Sequence, residues 1–184
     1  MNTALNTASL PTRLSHLLDY PSHQTSELVQ DTLIYLKDKH PNMVELFEPF
    51  AQTVATMSIS ELQEAYTRVF DFSQETALEI GWHLYGEDYS RGAFLAKMRE
   101  ALSTHGVPEA GELPDHMTTM LLLLEKQDPE SNQALVETVM QPAVSKIVEG
   151  LVKKESPYLA LITTIQQALK LYALGALESG GGRF

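Results

Sequence analysis

From position 112 the sequence reads Glu-Leu-Pro-Asp-His-Met, which brings Glu112, Asp115 and His116 within five residues. Two carboxylates and an imidazole suit general acid–base catalysis, a metal site or a polar binding loop. Each possibility sets a geometric condition. A catalytic pair must reach one atom, yet neighbours on a helix point about 100° apart. A protein-built metal site needs two His one turn apart, or Glu with Glu-x-x-His pairs. The six histidines, at 16, 23, 40, 83, 105 and 116, form no close pair. The local alternative is structural: Asp115 caps a helix starting near His116, and Pro114 fixes the approach of the chain. No catalytic residue, no metal ligand and no resident cofactor is expected. A small helical metal-dependent hydrolase using Asp115 and His116 is the enzymatic alternative.

A second group lies in "GWHLYGEDYSRG", where Trp82 and Tyr85 precede a turn bearing Glu87, Asp88 and Arg91. Aromatic rings beside acids suit a groove that takes an apolar peptide with a neighbouring arginine. They equally suit a core helix followed by a solvated turn. Met98, Met117 and Met120 fit either a core or an adaptable binding surface.

Twenty-four acidic against 13 basic side chains give a net charge of −11. Such a chain repels a phosphate backbone, which argues against nucleic acid and favours a basic peptide or surface as partner. Cysteine is absent, which removes disulfides, thiolate metal sites and cysteine nucleophiles together. The longest apolar run, "MTTMLLLL", falls far short of the roughly 20 residues of a membrane span, and the start carries no signal-peptide pattern. The cytoplasm is the expected location.

The elements that must position these residues are helical. Apolar spacing follows the helical period nearly everywhere, and sustained two-residue alternation is absent. The expectation is an all-α, single-domain helical bundle of roughly eight or nine helices over residues 1–178, with a flexible Gly-rich tail at 179–184. Leu14, Leu17 and Leu18 share a face before Pro21; Val29, Leu33 and Leu36 mark the next helix. Met43, Phe47, Phe50, Ala51 and Val54 form a stripe in which Pro49 predicts a kink or boundary. Ser58 and Glu61 stand at capping-box spacing. Leu78, Trp82 and Tyr85 predict a helix between Gln74 and Tyr85, and Phe94, Leu95, Met98 and Leu102 another. "THGVPEAGELP" packs two Gly and two Pro into eleven residues and must be a loop. Met117, Met120 and Leu121 to Leu124 are apolar almost all round, as in a central helix. Asp128-Pro129 and Ser156-Pro157 read as helix starts, and Pro142 should bend the helix it falls in.

Five stretches in this order, "LSHLLDYPS", "FDFS", "HLYGEDYSRG", "ELPDHM" and "SPYLALI", resemble the nitrate reductase molybdenum-cofactor assembly chaperones, or delta subunits, within the wider group of molybdoenzyme maturation chaperones of the NarJ and TorD type. The resemblance covers most of the chain. It implies a helical chaperone, not an enzyme, that binds the N-terminal, twin-arginine-like segment of the catalytic (alpha) subunit of a molybdoenzyme. That client would be kept competent for cofactor insertion before membrane docking or export. Nitrate reductase is the first choice of client, and cofactor-biosynthesis proteins are further candidate partners. The resemblance associates peptide recognition with Leu84, Tyr85, Gly86, Pro114, Asp115 and His116, and Glu112 belongs to the same loop. With the acids and aromatics above, the candidate peptide site comprises Trp82, Leu84, Tyr85, Gly86, Glu87, Asp88, Arg91, Glu112, Pro114, Asp115, His116, Met117 and Met120. A permanent structural subunit of an oxidoreductase is a third possibility.

Overall fold

Helical periodicity becomes helix along the described chain. In the computed structural model, which describes residues 8–109 and 111–173, the segments are α1 (Leu10–Leu17), α2 (Thr25–Lys39), α3 (Val44–Thr56), α4 (Ile59–Tyr66), α5 (Ile80–Tyr85), α6 (Tyr89–His105), α7 (Met117–Leu123), α8 (Pro129–Leu135), α9 (Gln141–Lys153) and α10 (Leu159–Ala173). A π-helical turn at Val136–Met140 runs α8 into α9, so the described residues form nine separate helices around one core. The expected tail at 179–184 lies outside the described residues.

Several starts follow the local chemistry. The Ser58 hydroxyl accepts the Glu61 N–H (3.3 Å) while the Glu61 carboxylate accepts the Ser58 N–H (2.7 Å), closing the capping box of α4. Asp128 accepts the Ser131 N–H at 2.9 Å, and Pro129 opens α8. Gly106 ends α6 at φ 67°, a left-handed conformation that side chains disfavour.

The boundary expected at Pro49 changes. Pro49 ends nothing: α3 runs through it with Pro49 on the exposed side, where water can serve the carbonyl that loses its partner. Pro142 sits at the start of α9, and the π-helical turn just before it absorbs the missing N–H. The helix expected from Gln74 also changes, since it begins only at Ile80.

The core is centred on rings and on α7. Tyr158 packs against Phe50, Tyr66 and Phe70 at ring separations of 5.7, 5.9 and 5.0 Å. Its hydroxyl donates to the Leu62 carbonyl (3.1 Å), and that of Tyr66 to the Leu18 carbonyl (2.9 Å). Burial therefore leaves neither phenol unpaired. Helix α7 is buried on almost every side and packs on α1, where the Ser15 hydroxyl donates to the Thr118 carbonyl. Around it α10 packs on α3 and α9, and α2 on α3. Tyr158→Phe should cost about 1 kcal/mol by removing the hydroxyl's hydrogen bond to the Leu62 carbonyl, whereas Tyr158→Ala should cost about 3–5 kcal/mol by opening a cavity; urea unfolding of both variants measures the difference.

Candidate peptide-binding site

Before α5 the chain is extended, and it pairs with the loop that precedes α7. The Ile80 N–H donates to the Asp115 carbonyl (3.0 Å) and the Met117 N–H to the Leu78 carbonyl (2.9 Å), forming an antiparallel bridge between Glu79 and His116. These two bonds explain why helix does not extend back to Gln74: the Leu78 carbonyl and Ile80 amide are engaged across the chain.

The same bridge relocates the cap expected of Asp115. The N-cap of α7 is His116, which makes no capping bond, and the first α7 amide already has Leu78. Asp115 instead reaches the second residue of α5: its Oδ2 accepts the Gly81 N–H at 2.7 Å. Asp115 does cap a helix start, but one 34 residues earlier. The approach requires glycine, because a Cβ at position 81 would lie 2.7 Å from Asp115 Oδ2 and 2.8 Å from Phe94 Cδ1.

Burial pushes the Asp115 carboxyl above the ordinary aspartate range, while the Gly81 N–H and the charge of Arg91 pull it back. Its Oδ1 and Arg91 Nε are both buried without a hydrogen-bond partner. The Arg91 guanidinium lies 5.4 Å over the Trp82 ring, a cation–π contact that braces α6 against α5. His83 is held below its ordinary pKa by burial; its Nε2 donates to the Ala77 carbonyl (2.7 Å) while Lys146 Nζ donates to the His83 carbonyl (2.5 Å).

The candidate residues therefore separate into two groups. Tyr85, Glu87, Asp88 and Glu112 are on the surface, and Trp82, Leu84, Gly86 and Arg91 are half-buried. Asp88 accepts the Ser90 N–H as the cap of α6, and Gly86 ends α5 at φ 57°. Pro114 and His116 are buried. Asp115, Met117 and Met120 expose nothing: the two methionines are core of α7, and Asp115 accepts the Gly81 amide.

Sequence reasoning missed a pocket on the other side of the bridge. It has a volume of about 340 Å³ and joins Glu112 and His116 to Glu79, Asp19, Asp71, Tyr20, Tyr66 and Phe70. Asp19 and Asp71 stand in the "LLDYP" and "FDFS" stretches, where an acid beside an aromatic recurs; that recurrence was the available signal. Among the described residues, no three His, Asp or Glu side chains gather as a metal site, and no helix is long and apolar enough to cross a membrane.

An all-α bundle with a stitched loop and an acidic, aromatic concavity beside it has the form of a binding module. The profile of the family described as nitrate reductase delta subunit matches residues 36–164, and the chain belongs to that family. It is 27% identical over 171 residues to the probable nitrate reductase molybdenum cofactor assembly chaperone NarJ of Bacillus subtilis (strain 168), covering 92% of this chain and 91% of that protein. It is also 27% identical over 166 residues to the nitrate reductase molybdenum cofactor assembly chaperone NarJ of Escherichia coli (strain K12), covering 88% of this chain and 64% of that protein. A further relative, the probable chaperone NarW of the same organism, is 22% identical over 153 residues, 82% of this chain and 64% of that protein. The resemblance carried by the five stretches is borne out.

Two stability measurements follow from the stitched loop. Gly81→Ala should lose about 1–3 kcal/mol as the new methyl displaces Asp115 and Phe94, read by denaturant unfolding. The Asp115 pKa is raised in the folded state, so the folded protein holds this proton where the unfolded chain has released it, and ionisation costs stability as pH rises above the ordinary 3.8. The stability of the natural protein relative to Asp115→Asn should therefore improve as pH falls from about 7 toward 4, and a difference independent of pH would count against a buried carboxylate here.

Proposed function

We propose that this chain is an assembly chaperone that binds the N-terminal segment of the catalytic subunit of a molybdenum-containing oxidoreductase, nitrate reductase first, in the cytoplasm. It keeps that subunit competent for cofactor insertion until membrane docking or export. The observation that carries the reading is the acidic, aromatic surface on both sides of the Glu79–His116 bridge, in a chain of net charge −11 whose relatives are named as such chaperones. Twin-arginine-like segments combine basic and apolar residues, and this surface complements both. An apolar helical stretch laid against the rings supplies most of the affinity, and the carboxylates set the association rate and its salt dependence.

The sealed residues have a place in this reading. Asp115 and the bridge hold the loop at a fixed distance from α5, so Glu112 and His116 are presented without ordering on binding. Tyr85, Glu87 and the exposed Tyr89 continue the surface along the α5–α6 turn.

Calorimetry with a synthetic N-terminal peptide of the nitrate reductase catalytic subunit from the same organism tests the proposal. Heat of binding that weakens at least several-fold between about 50 and 200 mM salt is expected. The full-length apo subunit should be retained by the chain, and the same subunit without its N-terminal segment should not. Equal retention of both, or co-purification with the mature enzyme at fixed stoichiometry, would replace this reading with that of a structural subunit.

A further inference from the structure

The pocket beside the bridge holds more negative charge than its surroundings balance. Asp19, Asp71, Glu79 and Glu112 line it, and no lysine or arginine does. Asp19 is paired with His16 at 3.3 Å. Among the described residues, the other three have no cationic side chain within salt-bridge distance. Aromatic rings form part of the wall: Tyr66 and Phe70 lie 5.0 Å apart, and Tyr20 meets Tyr66 edge-on at 5.5 Å. His116 also lines the pocket and is only 7% exposed. Its Nδ1 is taken by Thr118 Oγ1 at 2.7 Å, which leaves Nε2 as a polar atom with no hydrogen-bond partner among the described residues.

The neighbourhood of the pocket is apolar in a way that folding alone does not explain. Phe72, between the lining residues Asp71 and Ser73, is 84% exposed, Tyr20 is 54% exposed, and Leu113, next to Glu112, is 41% exposed. Large exposed side chains beside a charged concavity mark a surface that meets another molecule.

These features choose among cations. A bound metal ion needs several ligands converging on one point, and no three of these groups do so. Carboxylates spread around aromatic walls suit a planar, delocalised cation, which stacks on rings and pairs with several acceptors at once. Resting on the reading that this chain binds a client N-terminal segment, we infer that the pocket receives the guanidinium of an arginine in that segment, with apolar neighbours seated on Phe72, Tyr20 and Leu113. The pocket thus sets which segments are accepted, as a specificity site distinct from the α5–α6 turn.

The test is calorimetry on the full chain with the N-terminal peptide of the nitrate reductase catalytic subunit from the same organism. Three versions are compared: natural, each arginine replaced by citrulline, and each arginine replaced by lysine. Citrulline keeps the shape and removes the charge. It should weaken binding about tenfold in the natural protein but about twofold or less in the Asp71→Asn, Glu112→Gln double variant. Both substitutions fall on exposed positions, circular dichroism checks the fold, and Asp71→Asn alone serves if the pair does not fold. Glu100→Gln, on the exposed side of α6, should leave the tenfold effect intact. A citrulline effect equally large in the pocket variant, or a lysine or arginine-free peptide that binds the natural protein at full strength, would overturn the pocket assignment while leaving peptide binding in place. No binding by the natural peptide would remove the chaperone reading and this assignment together.

Discussion

One carboxylate position governs the geometry around the candidate site. Asp115 is fully buried, accepts the Gly81 amide, and through its own carbonyl accepts the Ile80 amide. Two successive amides at the start of α5 are thereby satisfied by one residue of a distant loop. With the Met117 N–H on Leu78, the starts of α5 and α7 are locked to each other. A helix of six residues, as α5 is, is too short to hold itself in water, and its stability comes from these bonds and from packing. Every candidate residue between Trp82 and Arg91 inherits its position from that lock.

The lock is costly. Taking a carboxylate out of water is unfavourable, and Asp115 leaves one oxygen unpaired inside the protein. An apolar residue of similar size would avoid that penalty but could not accept the Gly81 amide. Arg91 offsets part of the cost at long range, and its own position over Trp82 depends on α5 being where Asp115 puts it. The charge of Asp115 is therefore tied to architecture. The carboxylates that face outward around the pocket are Glu112 and Asp71, the half-buried Glu79, and Asp19, which is shared with His16.

Much of the fold was legible from spacing and caps. The stripe from Met43 to Val54, the Ser58–Glu61 box, the Asp128-Pro129 start and the all-round apolar α7 each follow from local rules that the structure obeys. What failed was non-local. The helix expected from Gln74 gave way to a bridge with a partner 37 positions on, Glu79 to His116, and no local propensity encodes that pairing. Asp115 had the type and place of a cap, but the helix it serves could not be found from its neighbours. The boundary offered at Pro49 failed for a related reason: the rule describes a bond lost, whereas exposure there lets water serve the freed carbonyl.

The candidate site was legible in composition and obscure in depth. Sequence placed Glu112, Asp115, His116, Met117 and Met120 together, and they are together, but periodicity alone cannot say which side of a loop faces water when both sides are rich in polar atoms. The distinction came from the core: α7 is wrapped on nearly all sides, which draws Met117, Met120 and Asp115 inward and leaves the outward duty to Glu112 and the edge of His116. The acids of "LLDYP" and "FDFS" join them because α1 and the end of α4 are drawn to the same point by Tyr66, whose ring packs on Tyr20 and Phe70 and whose hydroxyl bonds Leu18. A single buried phenol thus assembles the two sequence-distant carboxylates, Asp19 and Asp71, opposite the loop that Asp115 holds. The pocket is the space between those two anchors, and its charge follows from which surface residues happen to be left facing it once both are set.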